Sequence, residues 1–98
     1  MPSEWGSDPV VVDLREQISR ADRELLETLN RRIELVRRLR DYKAERGYPF
    51  VDRAREESLL ADLGNANEGP LSTDGLREFF TGMLALVKRE VGRDGALP

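Results

Sequence analysis

The chain has 98 residues, no cysteine, no histidine and a net charge of −3. This length suits one small domain. The missing residue types exclude disulfides, a thiol nucleophile, Cys- or His-ligated metals and a histidine general base. The acidic balance argues against nucleic-acid binding, and no apolar run approaches the roughly 20 residues of a membrane span. With no signal-peptide pattern, we expect a cytoplasmic protein that needs no metal or cofactor.

The first half of the chain predicts one long helix. Asp8 reads as its N-cap and Pro9 as its first helical residue. No glycine or proline interrupts the sequence from Val10 to Arg46. Gly47 is then expected at the C-terminal cap, and Pro49 makes continuation of the helix unfavourable.

Two shorter helices are predicted after it. Asp52 is a good N-cap for a second helix over 53–64, which we expect to stop at its glycine. Ser72 or Thr73 is expected to cap a third helix that ends at Gly92. Because no segment alternates in the manner of a strand, the predicted fold is all-α with three helices.

The predicted helices divide the chain into three parts. Residues 1–8 are predicted to be a flexible N-terminus, 9–92 a helical domain and 93–98 a flexible tail. The charged run 37–41 is interpreted as a solvated face of the first helix.

Apolar residues of the first helix recur in steps of three and four, which is the spacing of one helical face. They are Val11, Leu14, Ile18, Ala21, Leu25, Leu29, Val36 and Leu39. A helix over 10–46 would be about 55 Å long, whereas a compact domain of this size has a radius of gyration of about 13 Å. The helix therefore overhangs the rest of the chain, and we predict an intertwined helical homodimer in which a second copy covers the stripe.

Two cations interrupt this apolar stripe. Arg32 and Lys43 continue its spacing and differ by only about 20° around the helix. Lys and Arg are almost never fully buried unless they are paired, so the two positions predict an anionic partner. Arg15 points roughly 100° away from Arg32, so it can serve the same site only from a second chain. The alternative is that Arg32 and Lys43 reach the rim of the core and that Arg15 is an ordinary solvated residue.

A further charged group lies at the start of the second helix. Asp52, Arg55 and Glu56 suit a helix N-terminus, where acidic residues and pairs spaced by four are common. The functional alternative is that Arg55 adds a third cation and that Glu56 accepts a hydrogen bond from a ligand hydroxyl.

Taken in order, several fragments of the chain resemble the all-helical chorismate mutase family. They are Leu14-Arg15-Glu16-Gln17-Ile18, Asp22 with Leu25-Leu26, Asn30-Arg31-Arg32, Tyr42-Lys43, Val51-Asp52-Arg53-Ala54-Arg55-Glu56, Asn67-Glu68-Gly69-Pro70-Leu71-Ser72 and Phe79-Phe80. The resemblance covers about 14–91. It implies an intertwined three-helix homodimer with shared active sites that converts chorismate to prephenate in aromatic amino acid biosynthesis.

The same resemblance implies a set of substrate-binding residues. Arg32 and Arg55 would bind the two substrate carboxylates, together with Arg15 from the other subunit. Lys43 would donate to the ether oxygen, and Glu56 would accept from the ring hydroxyl.

Asp52 would contact this hydroxyl as well.

The reaction is an intramolecular Claisen rearrangement, which needs neither a nucleophile nor a metal. It therefore suits a chain that contains no histidine and no cysteine.

The third helix departs from the family pattern. The family usually has a small or hydroxyl residue late in this helix and a Gln or Glu four residues later, where this chain has Val87 and Val91. Neither valine can donate a hydrogen bond beside Lys43. Glu90, if protonated and close to the site, could supply the missing donor. Alternatively, the enzyme needs a partner protein from the shikimate pathway to position its third helix.

Other functions stay open at this point. The scaffold could act on isochorismate as a lyase, or on 4-amino-4-deoxychorismate as a mutase. Lyases of this fold usually lack an acidic residue at the Glu56 position, which favours the mutase. A non-catalytic helical dimer that binds a chorismate-like ligand or a partner enzyme is the remaining alternative.

Overall fold

The structure is a computed structural model and describes residues 4–95. A short 3-10 helix, Glu4–Ser7, precedes three α-helices: α1 over Pro9–Arg46, α2 over Arg53–Ala66 and α3 over Thr73–Gly95. None of the described residues forms a strand. The predicted all-α class with one very long helix is therefore confirmed. No helix in this part of the chain combines the length and apolar character of a membrane span.

The long helix begins where the sequence predicts. Pro9 is its first residue, and the Asp8 carboxylate accepts a hydrogen bond from the backbone N–H of Val10 at 2.8 Å. The preceding 3-10 helix is tied to this cap, because the Asp8 N–H donates to the Trp5 carbonyl at 3.1 Å. Residues 1–3 lie outside the described residues, and the flexibility of 1–8 stays a prediction.

Gly47 ends α1 as expected. Its φ of 70° lies in the left-handed region that glycine adopts without steric cost. The Gly47 N–H donates to Ala44 at 3.3 Å, and the Tyr48 N–H donates to Lys43 at 2.9 Å. These two bonds satisfy carbonyls of the last turn that have no partner within the helix.

The predicted end of α2 was wrong. The helix passes through Gly64 and continues to Ala66, and the Asn67 N–H donates to the Leu63 carbonyl at 3.0 Å. Gly64 has no left-handed φ, so it lies in the helix as an ordinary residue. The Asn67 side chain accepts from the Gly69 N–H at 2.9 Å, which turns the chain immediately after the cap.

Ser72 caps α3, because its hydroxyl accepts from the Gly75 N–H at 3.0 Å. The predicted end of α3 at Gly92 was wrong, since the helix runs to Gly95. A glycine inside a helix costs only about 1 kcal/mol relative to alanine, which neighbouring helical residues can offset. Residues 96–98 of the predicted tail lie outside the described residues.

The chain divides into two compact units, Met1–Glu34 and Leu35–Pro98. The described part of the first unit has no buried side chain. The second unit holds the core, which consists of Leu60 from α2 and a stripe along α3. This stripe is formed by Leu76, Met83, Val87 and Val91.

The apolar stripe of α1 is not buried within one chain. Leu14 is 52% exposed, Ile18 60% and Leu25 54%, and no residue of α1 is buried. Such extended apolar exposure is typical of a surface that another molecule covers.

We expect opposite effects of alanine at two glycines. Gly47→Ala should lower the free energy of unfolding by about 1–2 kcal/mol, because a Cβ is strained at its left-handed φ. Gly64→Ala should raise it by up to about 1 kcal/mol, since the position is helical and nothing lies within 4 Å of an added Cβ. Denaturant unfolding at one fixed protein concentration measures both. A loss of stability for Gly64→Ala would mean that α2 ends at Gly64.

Candidate active site

Arg15 lies in the first unit, on an exposed turn of α1, and its guanidinium contacts Trp5. The guanidinium carbon is 5.2 Å from the centre of the indole ring, within the range of a cation–π interaction. The 3-10 helix brings Trp5 back over α1. The sequence-based prediction gave Trp5 no role, because nothing in the pattern indicates that the N-terminal residues fold back.

An open groove of about 520 Å³ runs beside Arg15 along α1. It is lined by Val12, Arg15, Glu16, Ser19, Arg20 and Arg23. None of the other predicted substrate-binding residues lines it. Arg32, the second predicted carboxylate ligand of this unit, is half-buried further along the helix.

Lys43 lies in the second unit near the C-terminus of α1. Its side chain is half-buried, and its ammonium donates to the Phe50 carbonyl at 3.2 Å. This bond ties the end of α1 to the connector that leads to α2. An ammonium has three N–H donors, so donors remain for a further acceptor.

Asp52 and Arg55 form the first turn of α2. One Asp52 carboxylate oxygen accepts from the Arg55 N–H at 3.0 Å, and the Asp52 carbonyl accepts from the Glu56 N–H at 3.1 Å. The interpretation of Asp52 as the N-cap is therefore confirmed. The Arg55 side chain is exposed.

Glu56 forms an ion pair with Lys88, which joins α2 to α3. The Lys88 ammonium is 2.8 Å from each carboxylate oxygen of Glu56. The Glu56 side chain is 26% exposed and that of Lys88 39%, so the pair is partly shielded from water. The sequence-based prediction did not include Lys88. The two residues are 32 positions apart, and no local pattern relates them.

The three predicted contact positions on α3 differ in burial and in their contacts. Val87 is 1% exposed and Val91 is fully buried, so both belong to the core of the second unit. Glu90 is half-buried and pairs with Arg93 at 2.9 Å, one turn further along α3. The α3 group that meets the predicted site residue Glu56 of α2 is the ammonium of Lys88.

The interpretation of 37–41 as a solvated face was wrong for two residues, since Arg37 and Arg40 are half-buried. Arg40 is 23% exposed, and its guanidinium donates to the Val91 carbonyl at 2.7 Å while it also pairs with Asp41. The contact with Val91 spans 51 positions. A local charge pattern cannot reveal such a contact, which forms only when α3 packs.

The model of the family described as "Chorismate mutase type II" matches residues 14–91. The chain belongs to the chorismate mutase type II family. The resemblance seen in the sequence is thereby confirmed, and with it an activity of the isomerase class, the conversion of chorismate to prephenate.

Two solved structures of the chorismate mutase from Thermus thermophilus are similar to this chain. Form I has 32% identity and a TM-score of 0.77, and the match covers 79% of this chain and 96% of that chain. Form II has 31% identity and a TM-score of 0.80, with coverage of 85% and 94%. No curated protein sequence matches significantly.

We expect Arg40 to stabilise the second unit of this chain. Arg40→Met keeps most of the aliphatic stem but removes the charged donor to Val91. It should lower the free energy of unfolding by about 1–3 kcal/mol, because a partly buried carbonyl loses its charged donor. Arg38→Met, at the exposed neighbouring position, is the matched control and should change it by less than about 0.5 kcal/mol. Equal effects of the two variants would contradict this role.

Proposed function

We propose that two copies of this chain form a dimer with shared active sites, in which chorismate rearranges to prephenate. In each site, Arg32, Lys43 and Arg55 come from one chain and Arg15 from the other. Arg15, Arg32 and Arg55 bind the two substrate carboxylates. The observation that carries the proposal is the family match over 14–91, combined with an α1 whose apolar stripe is exposed in the single chain.

A second copy is the occupant that best fits this stripe. Leu14, Ile18 and Leu25 are each more than half exposed, and Leu35 and Leu39 extend the exposed apolar residues along α1. Burying them against an identical helix would remove this apolar area from water in both chains at once. The same association would bring the exposed Arg15 of one chain to the site of its partner.

The proposed catalysis is positioning and electrostatic stabilisation. Chorismate is a dianion that must adopt a compact conformation before its C–O bond breaks and its C–C bond forms. Cations that hold both carboxylates favour this conformation. Lys43 would donate to the ether oxygen as negative charge develops on it, with an N–H that its bond to Phe50 leaves available.

On α2, Glu56 would accept a hydrogen bond from the ring hydroxyl of the substrate. The capping bond from the Arg55 N–H uses one carboxylate oxygen of Asp52. Asp52 would contact the same substrate hydroxyl through its other carboxylate oxygen or through its backbone. The helix start therefore holds both acceptors close together. Val87, Val91 and Glu90 stay proposed contacts from α3.

The proposal places the enzyme in the cytoplasm, since its substrate is an intermediate of aromatic amino acid biosynthesis. It needs no metal and no cofactor, because the rearrangement is intramolecular. We also propose a shikimate-pathway enzyme as a partner. The fully buried Val87 and Val91 support this idea, because an active site that uses them would require α3 to shift, and a bound protein could stabilise the shifted helix.

The purified protein should consume chorismate and produce prephenate, which the loss of chorismate absorbance measures. The same assay with isochorismate and with 4-amino-4-deoxychorismate tests the two alternative reactions. We expect the highest kcat/KM with chorismate. If none of the three compounds reacts, alone or with a shikimate-pathway enzyme present, the proposed function is wrong.

Shared sites predict that two inactive variants restore activity when they are mixed. Arg15→Ala and Lys43→Ala should each lose most of kcat/KM. After unfolding and refolding together in equal amounts, half of the dimers are mixed, and each of these has one intact site. About a quarter of the wild-type activity should return.

Arg32→Ala mixed with Lys43→Ala is the matched control. Both residues are assigned to the same chain of a site, so every site of a mixed dimer lacks one of them. This mixture should stay inactive. Equal recovery in both mixtures, or in neither, would contradict the assignment of Arg15 to the partner chain.

A further inference from the structure

Among the described residues, two ion pairs join α2 to α3, and they differ in their surroundings. Lys88 lies 2.8 Å from Glu56, and both side chains are partly buried. Arg77 lies 3.5 Å from Glu57, with exposures of 54% and 72%. A solvated pair such as the second contributes little, whereas the charges of the first interact with less screening. The two neighbouring glutamates therefore differ in how firmly a cation holds them.

We propose that Lys88 is a specificity-determining residue that makes the site prefer a neutral hydroxyl to an ammonium at the ring position that Glu56 contacts. This inference rests on the proposed function, which assigns Glu56 to the ring hydroxyl. In this role, Lys88 distinguishes chorismate from its 4-amino analogue, which carries an ammonium at that ring position.

The physical reason is the net charge that the substrate meets. A carboxylate alone would attract an ammonium more strongly than a hydroxyl. A carboxylate that already lies 2.8 Å from a lysine forms a pair without net charge. It can still accept a hydrogen bond from a hydroxyl, because its two oxygens have several lone pairs.

An ammonium at the same place would meet the ammonium of Lys88 close by. Like charges at such short range repel, and the repulsion is strongest where water is partly excluded. Lys88 therefore acts against the wrong substrate rather than for the right one. Specificity often depends on such a repulsive element.

The test measures kcat/KM for chorismate and for 4-amino-4-deoxychorismate in the same variants. Lys88→Met removes the charge and keeps an unbranched side chain. We expect the ratio of the two kcat/KM values to shift towards the amino compound by about tenfold or more. Lys88→Arg keeps the charge and should retain the preference for chorismate.

Arg77→Met is the matched control, because it removes a second cation that links α3 to α2. It should leave both the basal activity and the substrate ratio unchanged. Glu56→Gln changes the net charge of the pair in the opposite direction, since it leaves the positive charge of Lys88 without its counter-charge. Activity should fall with both compounds, and further with the amino compound than with chorismate.

The possible failures are distinguishable. If the wild type converts neither compound, the proposed function is wrong and this inference falls with it. If the wild type converts chorismate but Lys88→Met lowers both values by the same factor, Lys88 only stabilises the helix pair and the specificity role is wrong. If circular dichroism shows that Lys88→Met does not fold, Glu56→Gln and Lys88→Arg decide, and an unchanged ratio in Glu56→Gln overturns the inference.

Discussion

The structure depends on one constraint: a long amphipathic helix whose apolar face is left exposed in the single chain. From Val10 to Arg46 no glycine or proline breaks α1, and its ends are fixed by the caps at Asp8 and Gly47. None of its residues is buried in the single chain, and a second copy is the simplest cover.

The same constraint gives a reason for the cations in the stripe. Arg32 and Lys43 would be unfavourable in a purely apolar interface, because moving a charge from water into apolar surroundings is costly. A dianionic substrate held between two chains would neutralise them. In the proposed dimer, the interface that stabilises the fold also forms the active site, so the loss of association and the loss of activity should go together.

The pair formed by α2 and α3 has a different role. Its core is a row of apolar side chains that includes Val87 and Val91, and the Glu56–Lys88 ion pair links the two helices. Arg40 of α1 adds a bond to the Val91 carbonyl of α3. Val87 and Val91 stand at the positions where the resemblance to the family implies polar residues. The polar group that α3 brings to the Glu56 side is instead a lysine, one position after Val87. A cation beside the Glu56 carboxylate changes which substrate group, a hydroxyl or an ammonium, this carboxylate binds preferentially.

The sequence by itself determined the three α-helices, the caps at Asp8, Gly47 and Asp52, and the family, and it limited the cap of α3 to Ser72 or Thr73. These features depend on residues close together in the chain, or on an ordered set of fragments. The predicted ends at Gly64 and Gly92 were wrong, because the small propensity cost of a single glycine does not by itself stop a helix. Only the tertiary structure decided the contacts of Arg15 with Trp5, of Arg40 with Val91 and of Glu56 with Lys88. Each of these joins groups that become neighbours only after the chain folds back on itself, and no periodic pattern records such an approach.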